Sequence, residues 1–155
     1  MKLSTAGNEL IKRSEGFRSD VYTDVAGFRT IGYGHRIKPQ ESFPDGIGEP
    51  QAAILLASDV AEAEKAVTRL VRVVITQGQF DALVDFCFNL GGGHLAASTL
   101  LNELNAGHYA DAAQQLLAWD HAGGQVNQGL KERRKAEYQL WMKTNTAAQT
   151  AAQEI

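Results

Sequence analysis

The chain has 155 residues, of which 44% are hydrophobic and 21% charged, and its formal net charge is −3 with a pI of about 5.8. This length and balance predict one soluble globular domain with a sizeable core, and the charge excludes a nucleic-acid binder that relies on overall positive charge. The single cysteine, Cys87, excludes an intramolecular disulfide and a multi-cysteine metal site.

The N-terminal part of the chain predicts one helix followed by strands and turns. The helix is expected to begin near Ser4 or Thr5, either of which can cap it, and to stop around Gly16. Residues 16–50 hold six glycines and all three prolines, with aromatic and β-branched residues between them. That composition is typical of short strands and loops. Strands at 17–23 and 28–33, joined through residues 25–27, predict a β-hairpin.

Residues 51–143 are dominated by helix formers. A long helix begins at about Pro50, which suits a first turn, and its apolar residues recur at steps of three and four. Thr76 and Gln79 match a capping box, and the helix that they begin is apolar on most sides, which predicts a central, buried element. Further helices are predicted at about 99–105, 109–119 and 128–142. The last of these carries Leu130, Tyr138 and Trp141 on one side.

These elements predict an α+β fold in which residues 1–143 form a single domain. A small β-containing lobe at about 16–50 is joined by the long helix, at about 50–71, to a larger helical lobe at about 72–143. We expect a cleft between the two lobes. For residues 144–155, whose periodicity is weak, a weakly structured tail is favoured over an extension of the last helix.

Three residues of the N-terminal lobe suggest glycosidase chemistry. Glu15 ends the first helix, Asp24 lies at the hairpin and Thr30 lies on the second strand. Glycosidic cleavage needs one carboxylic acid to protonate the leaving oxygen and a second carboxylate to act with water or on the sugar. A threonine hydroxyl can help to hold that water. The spacing alone is weak evidence for catalysis, because 18 acidic residues offer many such pairs and Asp is an ordinary turn residue.

Five segments in the same order strengthen this interpretation. The chain resembles the T4-type phage lysozymes in five segments. These are residues 14–18 (SEGFR), 30–35 (TIGYGH), 58–60 (SDV), 80–91 (FDALVDFCFNLG) and 129–137, which includes the Arg133-Arg134 pair. That family of glycoside hydrolases carries a Glu, eight residues, an Asp or Cys, five residues and then a Thr, which is the spacing of Glu15, Asp24 and Thr30. The resemblance covers about residues 4–143.

The resemblance implies a lysozyme-like fold and a muramidase that cleaves the β-1,4 bond between N-acetylmuramic acid and N-acetylglucosamine in peptidoglycan. Glu15 is then the general acid, and Asp24 with Thr30 activates water on the opposite face of the sugar. Because T4-like members invert configuration, we expect the two carboxyl groups to lie roughly 6.5–9.5 Å apart. Either Arg133 or Arg134 is expected to reach Glu15 from the last helix.

The resemblance also assigns supporting residues. It implies that His35 pairs with Asp59 in a structural role. A metal site at His35 is not expected, because no second His or Cys stands at metal-ligand spacing. Phe88, Asn89 and Arg36 are candidate substrate-binding residues. Trp119 and Trp141 are expected to pack in the core rather than stack on sugars, and Cys87 to be a small buried hydrophobe. The last helix carries an excess of basic residues, which indicates either a solvated face or a patch that binds the wall or outer membrane.

The expected enzyme is a monomer that needs neither cofactor nor metal, binds peptidoglycan and has no integral membrane segment. Residues 1–16 are too polar for an export anchor and contain no secretion signal, so we expect the protein to accumulate in the host cytoplasm until a separate holin releases it to the wall.

Two other functions remain open at this point. A lytic transglycosylase cuts the same bond with one carboxylate and leaves a 1,6-anhydro ring, but Asp24 and Thr30 have no place in that chemistry. A non-catalytic peptidoglycan-binding protein can keep the fold, because a fold alone does not establish activity. A prophage-derived toxin or secretion-linked lysozyme would have the expected chemistry in another setting.

Overall fold

The computed structural model describes residues 1–143, so the prediction for the tail at 144–155 lies outside the described residues. Within residues 1–143, seven helices and five short strands are arranged as an α+β fold, as predicted. The helices are α1 (Thr5–Glu15), α2 (Glu49–Leu70), α3 (Gln77–Leu90), α4 (Gly92–Ala96), α5 (Thr99–Asn105), α6 (Tyr109–Leu116) and α7 (Gln128–Lys143). The strands are β1 (Arg18–Thr23), β2 (Arg29–Gly32), β3 (His35–Arg36), β4 (His121–Ala122) and β5 (Gln125–Val126).

Helix α1 is held at both ends by contacts that its sequence encodes. Ser4 caps the helix by accepting a hydrogen bond from the Gly7 backbone N–H, and its hydroxyl donates to Asp81 on α3. Gly16 ends the helix with a φ of 71°, a value that favours glycine. Because the start of α1 is tied to α3, the direction of the helix is fixed and Glu15 is presented at its far end.

The small sheet follows α1 directly. Strands β1, β2 and β3 pair antiparallel in that order, and Tyr22 lies opposite Thr30 across the first pair. A register shift separates Arg18 from Tyr22, so β1 is irregular in its middle. The predicted hairpin is therefore present, and its turn carries Asp24.

Helix α3 is the centre of the fold. The predicted capping box at Thr76 and Gln79 is present, and ten consecutive residues of α3, 78–87, are buried. The helix packs against α1, α2, α4 and α7. Trp141 of α7 is 1% exposed in this core, and Trp119 packs edge-on against Phe86. None of the helices within residues 1–143 is both long and apolar enough to cross a membrane.

Several details differ from the sequence prediction. Helix α4, strand β3 and the β4–β5 hairpin were not predicted, and α6 ends at Leu116 rather than near Trp119. The buried side of α7 is formed mainly by charged residues, namely Arg133, Arg134 and Glu137, together with Trp141. Leu130 and Tyr138, predicted to share one side of the helix with Trp141, are only half-buried. Charged side chains can occupy this position because carboxylates on α3, α1 and α7 itself compensate them.

Candidate active site

Glu15 lies at the junction of α1, the small sheet and α7. Its side chain is 23% exposed, and Nη1 of Arg133 donates a hydrogen bond of 2.8 Å to Oε1. The other oxygen lies against the turn between β2 and β3, where a Cβ on Gly34 would stand 2.7 Å from Oε2. Gly34 has a φ of 72°, so both its conformation and its contact with Glu15 favour glycine. The carboxyl group is therefore confined on two sides.

Asp24 is fixed in the turn of the β1–β2 hairpin. Its Oδ1 accepts hydrogen bonds from the backbone N–H groups of Ala26, at 2.9 Å, and Phe28, at 2.8 Å. The Phe28 N–H is the main reason why the pKa of Asp24 lies below its usual value, and the Arg36 guanidinium, with Nε 3.5 Å from Oδ2, contributes less. The turn thus presents an ionised carboxylate.

Thr30 is buried, with 2% of its surface exposed, on strand β2. Its hydroxyl donates a hydrogen bond of 2.9 Å to the backbone carbonyl of Phe28. With its only proton committed to that carbonyl, Oγ1 can still accept hydrogen bonds. Thr30 is therefore oriented as an acceptor, as the binding of a water molecule would require.

Tyr22 lies at the site but was not among the predicted site residues. Burial, together with the negative charges of Glu15 and Asp24, raises the pKa of its phenol, while the nearby Arg18 opposes the shift. The Arg18 guanidinium stacks on the Tyr22 ring at 4.3 Å. Tyr22 is therefore close enough to both acids for their charges to act on its phenol. The alternation along the hairpin, which places Tyr22 opposite Thr30, is the signal that could have found it.

Arg133 connects Glu15 to the protein interior. Its Nε and Nη2 donate to the two oxygens of Asp85 on α3, at 3.0 and 2.9 Å, while Nη1 binds Glu15. Asp85 is completely buried, and Arg133 is 8% exposed. Burial disfavours the charged guanidinium, but Asp85 and then Glu15 more than compensate, so the pKa of Arg133 is raised.

The neighbouring Arg134 points to a different set of partners. Its Nη2 donates to Glu137 at 2.6 Å and to Asn89 at 2.9 Å, and its guanidinium stacks on Phe86. Asn89, a predicted substrate-binding residue, is therefore engaged by Arg134, and Phe88 is half-buried against the core. Because Arg133 and Arg134 both point into the protein, neither contributes to the predicted basic patch on the surface of α7. On its exposed side, α7 keeps Lys131, Lys135 and Lys143, with Lys135 near Glu132.

His35 lies between two carboxylates in the N-terminal lobe. Its Nδ1 is 2.8 Å from Asp59 of α2, and its Nε2 is 2.9 Å from Glu41, a partner that the sequence did not suggest. Burial opposes protonation of the 3%-exposed imidazole, but the hydrogen bonds of Asp59 and Glu41 outweigh burial and raise the pKa of His35. The residue holds the sheet, the following loop and α2 together.

We expect this clamp to stabilise the protein mainly at acidic pH. A raised histidine pKa contributes stability that is complete below the ordinary value of 6.5 and is lost as the pH rises through the folded-state pKa. Asp59→Asn should therefore lower the free energy of unfolding by about 1–2 kcal/mol near pH 5 and by less near pH 9. Glu62→Gln, an exposed change on the same helix, is the matched control. An NMR titration in which His35 keeps its wild-type pKa in Asp59→Asn would contradict the assignment.

A groove of about 500 Å³ opens beside Arg133. It lies between α1, the tip of the β1–β2 hairpin and the start of α7, with Arg13, Ser14, Val25, Asn127 and Leu130 among its lining residues. Of the predicted site residues, only Arg133 lines this groove. Those that do not are Glu15, Asp24, Thr30, His35, Arg36, Asp59, Phe88, Asn89 and Arg134. Arg36 instead stacks on Phe28 at 4.0 Å, beside Asp24. In residues 1–143, three side chains with metal-ligand spacing occur together at Glu103, His108 and Asp111, and none of these belongs to the site.

Comparison with known proteins shows which family this chain resembles. A family model described as phage lysozyme matches residues 12–137. An endolysin from Bacillus phage B103 is 44% identical over 147 residues, which cover 92% of this chain and 54% of that relative. The chain thus spans about half the length of this relative.

Solved structures are similar over nearly the whole chain. An endolysin from Escherichia coli O157:H7 phage FAHEc1 has a TM-score of 0.83 and 34% identity, covering 93% of this chain and 95% of that one. The muramidase domain of SpmX from Asticaccaulis excentricus has a TM-score of 0.82 and 38% identity, covering 91% of this chain and 97% of that domain. These similarities extend across both lobes of the described fold.

Proposed function

The chain belongs to the phage lysozyme family, and on that basis we propose that it is a muramidase acting on peptidoglycan. The reaction is hydrolysis of the β-1,4 bond between N-acetylmuramic acid and N-acetylglucosamine. The observation that carries the proposal is the pair of carboxyl groups in different settings. Glu15 is confined by Arg133 and Gly34, whereas Asp24 is held ionised by backbone N–H groups. Two carboxyl groups in distinct environments suit an acid and a base.

Glu15 is the proposed general acid. Arg133 binds Oε1, so the carboxyl group is held in one orientation and a proton on Oε2 is presented at a constant place. During bond cleavage this proton passes to the glycosidic oxygen of the leaving sugar, and the negative charge that remains on Glu15 is stabilised by the guanidinium. Arg133 therefore assists the proton transfer by stabilising its product.

Asp24 and Thr30 are proposed to activate the water. An ionised Asp24 accepts a proton from the water as its oxygen attacks the anomeric carbon. The Thr30 oxygen, whose own proton is donated to Phe28, accepts the second hydrogen of the same water and so fixes its direction. The anomeric carbon is attacked on the face opposite the leaving group.

Replacement of Asp24 by Asn should lower the rate at which soluble fragments leave purified peptidoglycan by about 10²-fold, because the amide cannot take up the proton. The turn should survive, since the Asn side-chain oxygen can still accept the two backbone hydrogen bonds. Asp20→Asn, an exposed change on the preceding strand β1, should leave the rate close to that of the wild type. Wild-type activity in Asp24→Asn would remove Asp24 from the mechanism.

The mechanism also predicts inversion at the anomeric carbon. Direct attack by water on the face opposite the leaving group yields the α-anomer from a β-linked substrate. Proton NMR during hydrolysis of a soluble peptidoglycan oligosaccharide should therefore detect the α-anomer first. Initial formation of the β-anomer would indicate a covalent intermediate and make Asp24 a nucleophile.

The cellular part of the proposal is that the enzyme works as a monomer and reaches its substrate through a membrane pore formed by a separate holin. Membership in the phage lysozyme family supports this part. Co-expression with a holin should cause lysis of a bacterial host, while expression of the enzyme alone should leave the cells intact.

A further inference from the structure

A buried group of charged residues connects the centre of α3 with the active site. We define the arginine–carboxylate cluster as Asp85, Arg133, Arg134 and Glu137, with Glu15 at its outer end. Asp85, Arg134 and Glu137 are completely buried. The proposed mechanism uses only Glu15 and Arg133, so the deeper residues need an explanation of their own. Buried charges are costly unless they are paired and hydrogen-bonded.

Asp85 determines the orientation of Arg133. The guanidinium uses two of its nitrogens for Asp85 and a third for Glu15. Such bidentate contacts fix the plane of the guanidinium, because two of its nitrogens must donate to the two carboxylate oxygens at the same time. The position of the Glu15 contact therefore follows from the position of Asp85.

Glu137 has an oxygen that no donor satisfies. Its Oε1 accepts a hydrogen bond from Arg134, but its buried Oε2 receives no hydrogen bond from any donor group in the described part of the chain. Glu137 also lies within hydrogen-bonding reach of Asp85. Two ionised carboxylates are both acceptors, so this contact becomes a hydrogen bond only when one of them carries a proton. Asp85 already accepts two N–H groups from Arg133, which favours its ionised form and leaves the proton to Glu137.

The electrostatic environment also favours a proton on Glu137 and an ionised Asp85. Burial, followed by the hydrogen bond to Asp85, raises the pKa of Glu137 well above its usual value. Burial acts in the same direction on Asp85, but the hydrogen bond from Glu137 and the charge of Arg133 outweigh it and lower the pKa of Asp85. Burial raises the pKa of the neighbouring Cys87 thiol to about 12, so it adds no charge at neutral pH. The titratable and charged groups around Glu137 are Asp85 and Cys87 on α3, Arg133 and Arg134 on α7, and Glu15 beyond Arg133.

We propose that Glu137 is a positioning residue of the active site: as a neutral carboxylic acid it donates a hydrogen bond to Asp85, Asp85 fixes Arg133, and Arg133 orients Glu15. An ionised Glu137 would instead add a second anion beside Asp85, which would attract Arg133 inward and away from Glu15. The inference rests on the proposed role of Glu15 as the acid, but the state of Glu137 can be tested without any activity.

Infrared spectroscopy tests the protonation state directly. The full chain at pH 7 should show the carbonyl absorption of a protonated, buried carboxylic acid. The difference between the wild-type and Glu137→Gln spectra should contain this band, because any contribution from Glu15 is common to both proteins. Glu132→Gln, an exposed change on the same helix, should retain the band. Absence of the band from the wild type, or a band of unchanged intensity in Glu137→Gln, would overturn the proposal. Because this test does not involve peptidoglycan, its failure is distinct from a failure of the proposed function.

Kinetics on a soluble peptidoglycan fragment test the positioning role. Glu137→Met keeps most of the volume but removes the donor, so kcat should fall about tenfold, the equivalent of one lost hydrogen bond, with KM nearly unchanged. Glu137→Gln supplies an N–H donor to Asp85 and an oxygen to Arg134, so it should recover most of the lost kcat. Equal losses in the two variants, or no loss in Glu137→Met, would contradict the positioning role. If Glu137→Met does not fold, the infrared comparison of the wild type with Glu137→Gln decides.

Discussion

Replacement of Glu15 by Gln should reduce the release of soluble fragments from purified peptidoglycan by a factor on the order of 10²–10⁴. Gln has nearly the same shape and can still accept the hydrogen bond from Arg133, but it has no proton that it can transfer to a leaving oxygen. The loss should therefore appear in kcat, while the affinity for the substrate should stay the same. The rate of fragment release and the melting temperature of both proteins are the measurements.

A second substitution on the same helix provides the control for this result. Glu9 lies on α1 with a 60% exposed side chain, and its only ion pair is with Lys12 at 3.8 Å within the part of the chain that the structure describes. Glu9→Gln should keep the wild-type rate. If Glu15→Gln also keeps it, with an unchanged fold, the proton must come from another group and the proposed mechanism is wrong.

The largest effect on stability is expected for Arg133→Met, which should lower the free energy of unfolding by about 3–5 kcal/mol at pH 7. Methionine fills part of the space, but it leaves the buried Asp85 without the two N–H groups that compensate its charge. The loss should diminish at low pH. The lowered pKa of Asp85 means that its contribution is present above the ordinary value of 3.8 and is lost as the pH falls through the folded-state pKa.

Urea denaturation of the wild type and of Arg133→Met, from pH 7 down to acidic pH, measures the difference in their free energies of unfolding. Lys131→Met, a change at an exposed position of the same helix, should alter the free energy of unfolding by less than about 0.5 kcal/mol. A change of similar size in both variants would mean that the Arg133–Asp85 pair has no special part in the stability of the fold.

The elements that the sequence predicted well are those whose signals are local. The cap at Ser4, the glycine at position 16 and the capping box at Thr76 each act within a few residues of the helix end that they determine. The apolar pattern of α3 similarly matches the burial of residues 78–87. Helix α4 was missed because it begins with Gly92 and Gly93, whose composition indicates a turn. The β4–β5 hairpin has only two residues in each strand.

The charged interior could not be predicted in the same way. Arg133 and Arg134 are adjacent in the sequence, and nothing near them shows which one meets Glu15. The choice depends on Asp85, which lies 48 residues away from Arg133 along the chain. Likewise, the second partner of His35, Glu41, comes from a loop without regular structure. Periodicity assigned α7 an apolar face, whereas long-range pairing allowed its charged residues to be buried.

The most direct test of the account is the chemical identity of the ends that the protein makes in peptidoglycan. Purified peptidoglycan would be incubated with the wild type and with Glu15→Gln, and the released fragments analysed by mass. Hydrolysis by Glu15, Asp24 and a water predicts reducing muramic acid ends from the wild type and almost none from the variant. Fragments that end in 1,6-anhydro rings would contradict the account, because that reaction is a transglycosylation in which no water is activated and Asp24 has no role.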